Sequence, residues 1–496
     1  MEAEKLKELV SYIIEKGFIW GPEPEIYGGT AGFYTYAPLG KLLKNNVEGA
    51  IRNVLQANDF WEVECPTVMK KEVWEASGHL GGFSDPMIQC SKCNSIFRVD
   101  TLLEENGIKA DKDPLKQIIE SKIKCPGCKG NFKNEIKKHS LMMRTTVGVD
   151  TEAYNRPETA TTTYLPFQRF ADFFRKKVPF GVFQIGKAYR NEISPRQHVL
   201  RCREFTQAEA QLFIGKEQKD NFEKYEKVKN EKLPLWPHQL QEKGKPKLTS
   251  LDEALKNKYL KNKAYAWCLY IAYELFREIG IPEEKIRLRQ HNPDEKAFYA
   301  DDAWDIEINL NTFGWFECCG IHDRTDYDLK QHAKFSGKKL EIFSEDLKKS
   351  IVPHVLEIAF GTDRPVFALL DLFYEKKEKE EGKSLLKLPA NLAPVKVAVF
   401  PLVNKDELLA LSGKVYDGLS KEFIAVFDKS GAIGRRYLRQ DEIGTPFCLT
   451  VDFDSIKGND ITIRERDTAK QKRVKIKDLS EILRKLINKE VKFDVI

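Results

Sequence analysis

Residues 183–213, FQIGKAYRNEISPRQHVLRCREFTQAEAQLF, read as a hairpin. The opening FQIGKAYR has strand character and a polar loop broken by Pro195 follows. CREFTQAEAQLF then alternates apolar and polar positions on the way back. Arg190, Arg196, Arg201 and Arg203 are interleaved with Glu192, Glu204 and Glu209. Alternating charge on paired strands is often only a solvated face. Here, however, Phe183, Tyr189, Phe205 and Phe213 share the hairpin with the arginines. Arginines, acids and aromatics together suit a ligand with phosphate, polar edge and flat ring, such as a nucleotide.

Around this hairpin lies a chain of 496 residues, long enough for two to four domains. It is 42% hydrophobic and 31% charged, the profile expected of a soluble protein, and no apolar run has the length of a membrane span. The N-terminal MEAEKLKELVSYIIEKG is amphipathic, not a basic-then-apolar secretion signal, and the spacing of Leu6, Leu9, Val10 and Ile13 predicts a helix over residues 1–20. A net charge of +6 permits a nucleic-acid partner without requiring one. The ten cysteines do not form the pattern of a disulfide scaffold, and a reducing cytoplasm is the simplest setting for them.

Four of those cysteines are informative. Cys90 and Cys93 form one C-x-x-C pair, Cys125 and Cys128 another, with 31 residues between them. Two residues between cysteines let both thiolates face one side of a tight turn, and two such turns make a tetrahedral soft-ligand set suited to Zn²⁺. Redox pairs or coincidence are the other readings. Four thiolates leave no open coordination position, so the expected role is structural. The intervening TLLEENGIKADKDPLKQIIESKIK is polar and predicted mostly helical. A helix is also expected over Lys41–Asn58, with Leu43, Val47, Ile51, Val54 and Leu55 on one face, followed by the strand FWEVECPTV. KEQKDNFEKYEKVKNEKL reads as a solvated helix or flexible insert, and KNKAYAWCLYIAYELFREIG as a core helix. Beyond about Ala393 strands and helices alternate, which predicts an α/β domain with a largely parallel sheet.

Arg190-Asn191-Glu192 followed by Arg201-x-x-x-Phe205 resembles motif 2 of the class II aminoacyl-tRNA synthetases, and RNEISPRQ…REFTQAE is similar to the glycyl enzymes of archaea and eukaryotes. Other strings fall in the same order. IYGGTAGFYTYAPLG resembles the opening of that core, and the helix and proline-ended strand at 41–68 resemble motif 1, the dimer-forming element. Arg156-Pro157-Glu158-Thr159-Ala160 resembles a conserved family string that continues Gln-Gly where this chain has Thr161-Thr162. WFECCGIHDRTDYDL is similar to the segment before motif 3, and His354–Arg364 resembles motif 3, ending in Gly361-x-x-Arg364. GAIGRRYLRQDEIGTPFC resembles the anticodon-binding domain shared by the glycyl, threonyl, prolyl and histidyl enzymes.

The resemblance implies an α+β protein. Its class II antiparallel-sheet catalytic core would occupy 1–88, 140–213 and 286–392, with a zinc-ribbon insert at 89–139, a helical insert at 214–285 and a C-terminal α/β anticodon-binding domain at 393–496. It implies ATP-dependent ligation of glycine to tRNA(Gly) through a glycyl-adenylate, in a cytoplasmic homodimer. Arg190 would hold the α-phosphate and the substrate carboxylate; Arg201 and Arg364 the γ-phosphate; Phe205 and Glu192 the adenine; Glu317 a Mg²⁺ ion. Glu158, Glu209, Glu357 and Ala359 would frame glycine, with Ala359 standing where the family carries a serine. Arg435, Arg436 and Arg439 would read anticodon bases or form ordinary helix pairs, and Cys318 and Cys319 would be packed thiols. A threonyl, prolyl or histidyl enzyme, or a non-catalytic nucleic-acid-binding relative, shares parts of the same pattern; the latter is expected to lack the phosphate arginines.

Overall fold

The computed structural model describes residues 2–193, 195, 197–242, 244–345, 348–376 and 384–496; Arg196 and residues 377–383 of the 376–384 charge run lie outside them. Nine strands form the central sheet: β1 (Phe60–Glu62), β2 (Phe180–Tyr189), β3 (Glu204–Ile214), β4 (Lys232–Trp236), β5 (Lys247–Ser250), β6 (Ile286–Gln290), β7 (Asp302–Leu310), β8 (Gly314–Thr325) and β9 (His354–Gly361). Their spatial order is β5-β4-β6-β7-β8-β9-β3-β2-β1, antiparallel except at β4–β6 and β2–β1. The motif 2 hairpin is β2 and β3, paired from Phe180 opposite Phe213 to Tyr189 opposite Glu204.

Period-two alternation gives the sheet two unlike faces. Ala208, Ala210 and Leu212 of β3, Leu356, Ile358 and Phe360 of β9, and Trp304, Ile306 and Ile308 of β7 enter one large apolar core. Three helices are among the elements that complete that core. α1 (Glu2–Glu15) covers one end, α2 (Pro38–Ala57) contributes Leu43, Val47, Ile51 and Leu55, and α3 (Lys263–Glu278) buries eleven residues. Each fully buried Leu, Ile or Phe in such a layer contributes about 1.5–3 kcal/mol. The opposite face carries Gln207, Glu209, Glu357, His322 and Asp305, and the site lies there.

α1 is shorter than its periodicity suggests. Gly17 at φ 74° ends it, and Ile19–Trp20 pairs with Thr35–Tyr36 as a short ribbon. The stretch 216–233 is neither a solvated helix nor a loose insert. Phe222, Tyr225 and Val228, three residues apart, pin 3₁₀ turns to the core, and the chain then enters β4. β4 and β5 add two strands to the edge of the sheet, so residues 214–285 are not purely helical.

A helix α4 (Asp363–Phe373) leaves β9 directly. Its first residue, Asp363, is buried and accepts from Lys44 Nζ of α2 at 2.6 Å, from the Tyr36 hydroxyl at 2.6 Å and from the Thr206 amide of β3 at 2.8 Å. Burial works against the charged carboxylate, but these donors, led by the Lys44 cation, hold Asp363 below the ordinary carboxylate range.

Residues 84–140 form a separate three-stranded sheet whose two short helices, Val99–Glu104 and Pro114–Glu120, pack on Ile88. Cys90 and Cys125 begin matching turns. Their amides donate to Ser95 O and Gly130 O, and Asn94 and Lys129, at φ 59° and 58°, return the chain. The four sulfur atoms lie within 4.8 Å of one another, with Cys90–Cys128 at 3.5 Å and Cys93–Cys125 at 3.7 Å. Zinc about 2.3 Å from each sulfur needs separations of about 3.8 Å, so the set fits a four-thiolate site. A Cβ on Gly130 would stand 3.2–3.3 Å from two of the sulfurs and 2.8 Å from Lys92 Cβ, which leaves glycine the only residue that fits.

The C-terminal part contains β10 (Val397–Pro401), α5 (Asp406–Leu419), β11 (Ala425–Phe427), α6 (Ile433–Ile443), β12 (Phe447–Val451), β13 (Asp460–Glu465), β14 (Gln471–Lys475) and α7 (Leu479–Ile487). β11, β10 and β12 are parallel, as the alternation predicts. β13 and β14 add an antiparallel hairpin, so the sheet is mixed. Its signal was Ile461 and Ile463, two residues apart and fully buried.

Two outcomes test these assignments. Lys44→Met strands the Asp363 charge and lowers the unfolding free energy of the catalytic part by about 3–5 kcal/mol in denaturant titrations; a loss under about 1 kcal/mol would show that the pair ties nothing together. Cys125→Ser removes bound zinc, measured by elemental analysis, and opens residues 99–124 to limited proteolysis; retention of stoichiometric zinc would rule out the four-thiolate site.

Candidate active site

The polar face of the sheet floors a cavity of about 600 Å³. Strand register sets out its residues. One row runs Gln184, Glu209, Ala359, Gly320, Asp305 across β2, β3, β9, β8 and β7; the next runs Gln211, Glu357, His322, Ala303. Small residues, Ala359, Gly320 and Gly361, line the floor and acids stand around them.

Three of the acids sit in different electrostatic settings. Glu158, in the turn before α-helical residues 160–164, accepts from the Thr161 hydroxyl at 2.6 Å and lies 3.5 Å from His79 Nε2; burial opposes its charge, but His79 and Arg324 hold its carboxyl below the usual range. Glu357 accepts from His322 Nδ1 at 3.1 Å, Tyr164 Oη at 3.2 Å and Arg324 at 3.4 Å; burial opposes its charge, but the Arg324 guanidinium, with the hydrogen bond from His322, holds its carboxyl below the usual range as well. Glu209 is held by neutral donors, the Thr159 hydroxyl and the Gln207 amide at 2.7 Å. Burial pushes its carboxyl well up, and the nearby Glu357 and Glu158 charges add to the rise. The cluster therefore combines two acids held below the usual carboxylate range with a third pushed well above it.

The cationic side lies along the hairpin and α4. Arg190 donates to Pro157 O at 3.1 Å and stacks between Phe83 and Phe205, at 5.5 and 5.4 Å from the ring centroids. Arg201 pairs with Glu192 at 2.8 Å. Arg364, at the first turn of α4, reaches Glu317 Oε1 at 3.1 Å and its backbone carbonyl at 2.8 Å, with Phe316 beneath it. Every expected site residue outside the cysteine cluster lines this one cavity, Glu317 at its rim and largely exposed.

Other residues of the hairpin have different duties. Arg203 donates to Ala31 O, Glu192 O and Ile193 O, clamping the Gly-rich segment onto the hairpin loop, and Phe183 and Phe213 are fully buried core. Arg156 is no surface partner of Glu158. It is 1% exposed and donates to Lys187 O, Cys65 O and Gln184, filling the space above Gly186. In the C-terminal part, Arg436 is buried against backbone carbonyls of Pro401, Lys429 and Gly431, and Arg439 pairs with Asp428, so both brace the turn before α6; Arg435 is exposed. Cys318 and Cys319 are buried thiols, as expected.

The cavity also contains His291, paired with Asp305 at 2.6 Å, His322 and Arg324, while His79 stands behind Glu158. The sequence reading did not single out these histidines. Their rarity was the available signal: the chain has only 8, and His322 falls inside the quoted GIHDRT string.

Residues 396–486 match the family model described as "Anticodon binding domain". The chain is 39% identical to the glycine–tRNA ligase of Methanococcus vannielii over 95% of its own length and 98% of that protein's, and 39% identical to that of Pyrococcus furiosus over 98% and 100%. Its fold is similar to the crystal structure of prolyl-tRNA synthetase from Cryptosporidium parvum, with a TM-score of 0.60 at 14% identity, covering 97% of this chain and 77% of that one. With an ordered set of motifs, a single cavity that gathers them and near-full-length identity of this order, the chain belongs to the glycine–tRNA ligase family of class II aminoacyl-tRNA synthetases.

Proposed function

We propose that the protein joins glycine to tRNA(Gly) in two steps at the cavity just described. The observation that carries this reading is the division of the cavity into an acid-ringed floor of small residues and an arginine-lined side. Glycine's carboxylate attacks the α-phosphorus of ATP, pyrophosphate leaves, and glycyl-adenylate remains. The terminal hydroxyl of tRNA then attacks the carbonyl carbon and AMP leaves. Anion must approach anion in the first step, so fixed positive charge is the main requirement. Arg190 takes the α-phosphate and substrate carboxylate; Arg201 and Arg364 take the γ-phosphate, their planar forks suiting phosphate oxygens. Phe205 stacks on adenine and Glu192 accepts from its amine. Glu317, an exposed carboxylate beside Arg364, fits a Mg²⁺ ion shared with the phosphates, whose charge it would neutralise.

Glycine offers only an ammonium and a carboxylate. Glu158 and Glu357 supply negative charge for the ammonium, Glu209 offers a further carboxyl, and these acids gathered around Ala359 would crowd a substrate Cβ. Excluding a larger side chain is a steric task.

A homodimer is supported at the β1 edge of the sheet, where Trp61 and Phe173 are 56% and 63% exposed and meet edge to face at 5.5 Å. The C-terminal domain suits the anticodon arm of the tRNA. A cytoplasmic setting is supported by six buried cysteines outside the metal set, none in a disulfide. Among the described residues no helix is long and apolar enough to cross a membrane.

Amino-acid-dependent ATP–pyrophosphate exchange tests the first step. Exchange is expected with glycine alone among the twenty amino acids; exchange with threonine, proline or histidine instead would overturn the glycine pocket. Arg364→Ala is expected to cut kcat/KM for ATP by about 10²–10³-fold, the scale of removing one fixed charge from a developing anion, with circular dichroism unchanged. A variant within three-fold of wild type, roughly 0.7 kcal/mol by the same arithmetic, would take Arg364 out of the phosphate site.

A further inference from the structure

The floor of the amine pocket has an unusual wall, and its role rests on the glycine-binding reading above. Ala359 presents a methyl beside Glu209, where the related motif places a hydroxyl. Gly320, directly across from Ala359 on β8, has no side chain at all. The space over these two residues is filled from two positions further along β8. The His322 ring lies back over Gly320, so near that a Cβ there would stand 2.6 Å from its Cε1. Its Nδ1 is 3.1 Å from Glu357 Oε1, and its side chain remains 24% exposed to the cavity.

We propose that His322 is a positioning and selectivity residue of the amine pocket: its imidazole orients the Glu357 carboxylate toward the substrate ammonium and, laid over Gly320, closes the space into which the side chain of a larger amino acid would extend. The charged and titratable groups facing it are Glu357 on β9, Arg324 on β8, Asp305 on β7, His291 after β6, whose ring centroid is 6.3 Å away, Glu209 on β3 and Glu158 in the turn before the hairpin.

Through Nδ1–H the His322 ring donates to Glu357 and fixes the direction of that carboxylate. The role is one of binding and fit, so its loss is read in KM for glycine, with KM for ATP indifferent to it.

Wild-type glycine-dependent exchange is measured first; its absence overturns the glycine reading itself. Given exchange, His322→Ala is expected to raise KM for glycine about ten-fold, the scale of one charge-assisted hydrogen bond, with KM for ATP unchanged, and to admit alanine as a substrate. His322→Asn keeps a donor and is expected to retain near-wild-type KM for glycine. His322→Ala combined with Ala359→Ser restores part of the affinity through a hydroxyl. If His322→Asn loses as much affinity for glycine as His322→Ala, the proposal fails. It fails equally if His322→Ala leaves both KM and alanine rejection unchanged.

Discussion

A buried carboxylate is worth having only where its partners are fixed, and Asp363 illustrates how much structure one such group can organise. Its two oxygens bind Lys44 from α2, Tyr36 from the N-terminal ribbon and the Thr206 amide from β3. Lys44 and Thr206 come from the segments resembling motifs 1 and 2, Tyr36 from the Gly-rich segment before them, and Asp363 from the segment resembling motif 3. The next residue along α4 is Arg364, and the strand reached through Thr206 carries Phe205 and Glu209. Arg364, Phe205 and Glu209, the proposed phosphate, adenine and amine contacts, are thus held in one frame by a group buried beneath them.

The polar side of the sheet shows how charge can be distributed among chemically identical side chains. Glu158, Glu209 and Glu357 converge on one small volume, and three bare anions there would repel strongly. Each is given different neighbours: His79 for the first, Arg324 and His322 for the third, and only a hydroxyl and an amide for the second. Glu209 bears the resulting strain as a raised proton affinity. On the proposed reading, an arriving ammonium would relieve it.

Much of this was legible in the sequence where a physical rule has a short range. Alternation in REFTQAEAQLF gave β3 and its two faces, C-x-x-C spacing gave the sulfur cluster, and the periodicity around Trp267 gave the core helix. The errors have physical causes too. Residues 216–233 looked solvated because lysine and glutamate dominate the composition, while three apolar residues at three-residue spacing decided the conformation. The β13–β14 hairpin was hidden by charged residues on its outer face. Arg203 looked like a ligand residue because arginine serves equally well to bind carbonyl oxygens in a tight loop, and only the fold shows which carbonyls lie nearby. The histidines of the cavity approach it from segments far apart in sequence, so no local pattern could group them.

Two of the cavity's arginines, proposed to bind phosphate, already hold an anion: Arg201 has Glu192 and Arg364 has Glu317. An unpartnered cationic cleft would collect inorganic phosphate, nucleoside monophosphates and stray RNA from its surroundings. Here a small anion must compete with a tethered carboxylate at each arginine, and it gains little from the exchange. On the proposed reading, a triphosphate would displace both carboxylates with one molecule, and its adenine would find a released Glu192 beside it. The cleft would then favour the whole nucleotide over its fragments and over free phosphate.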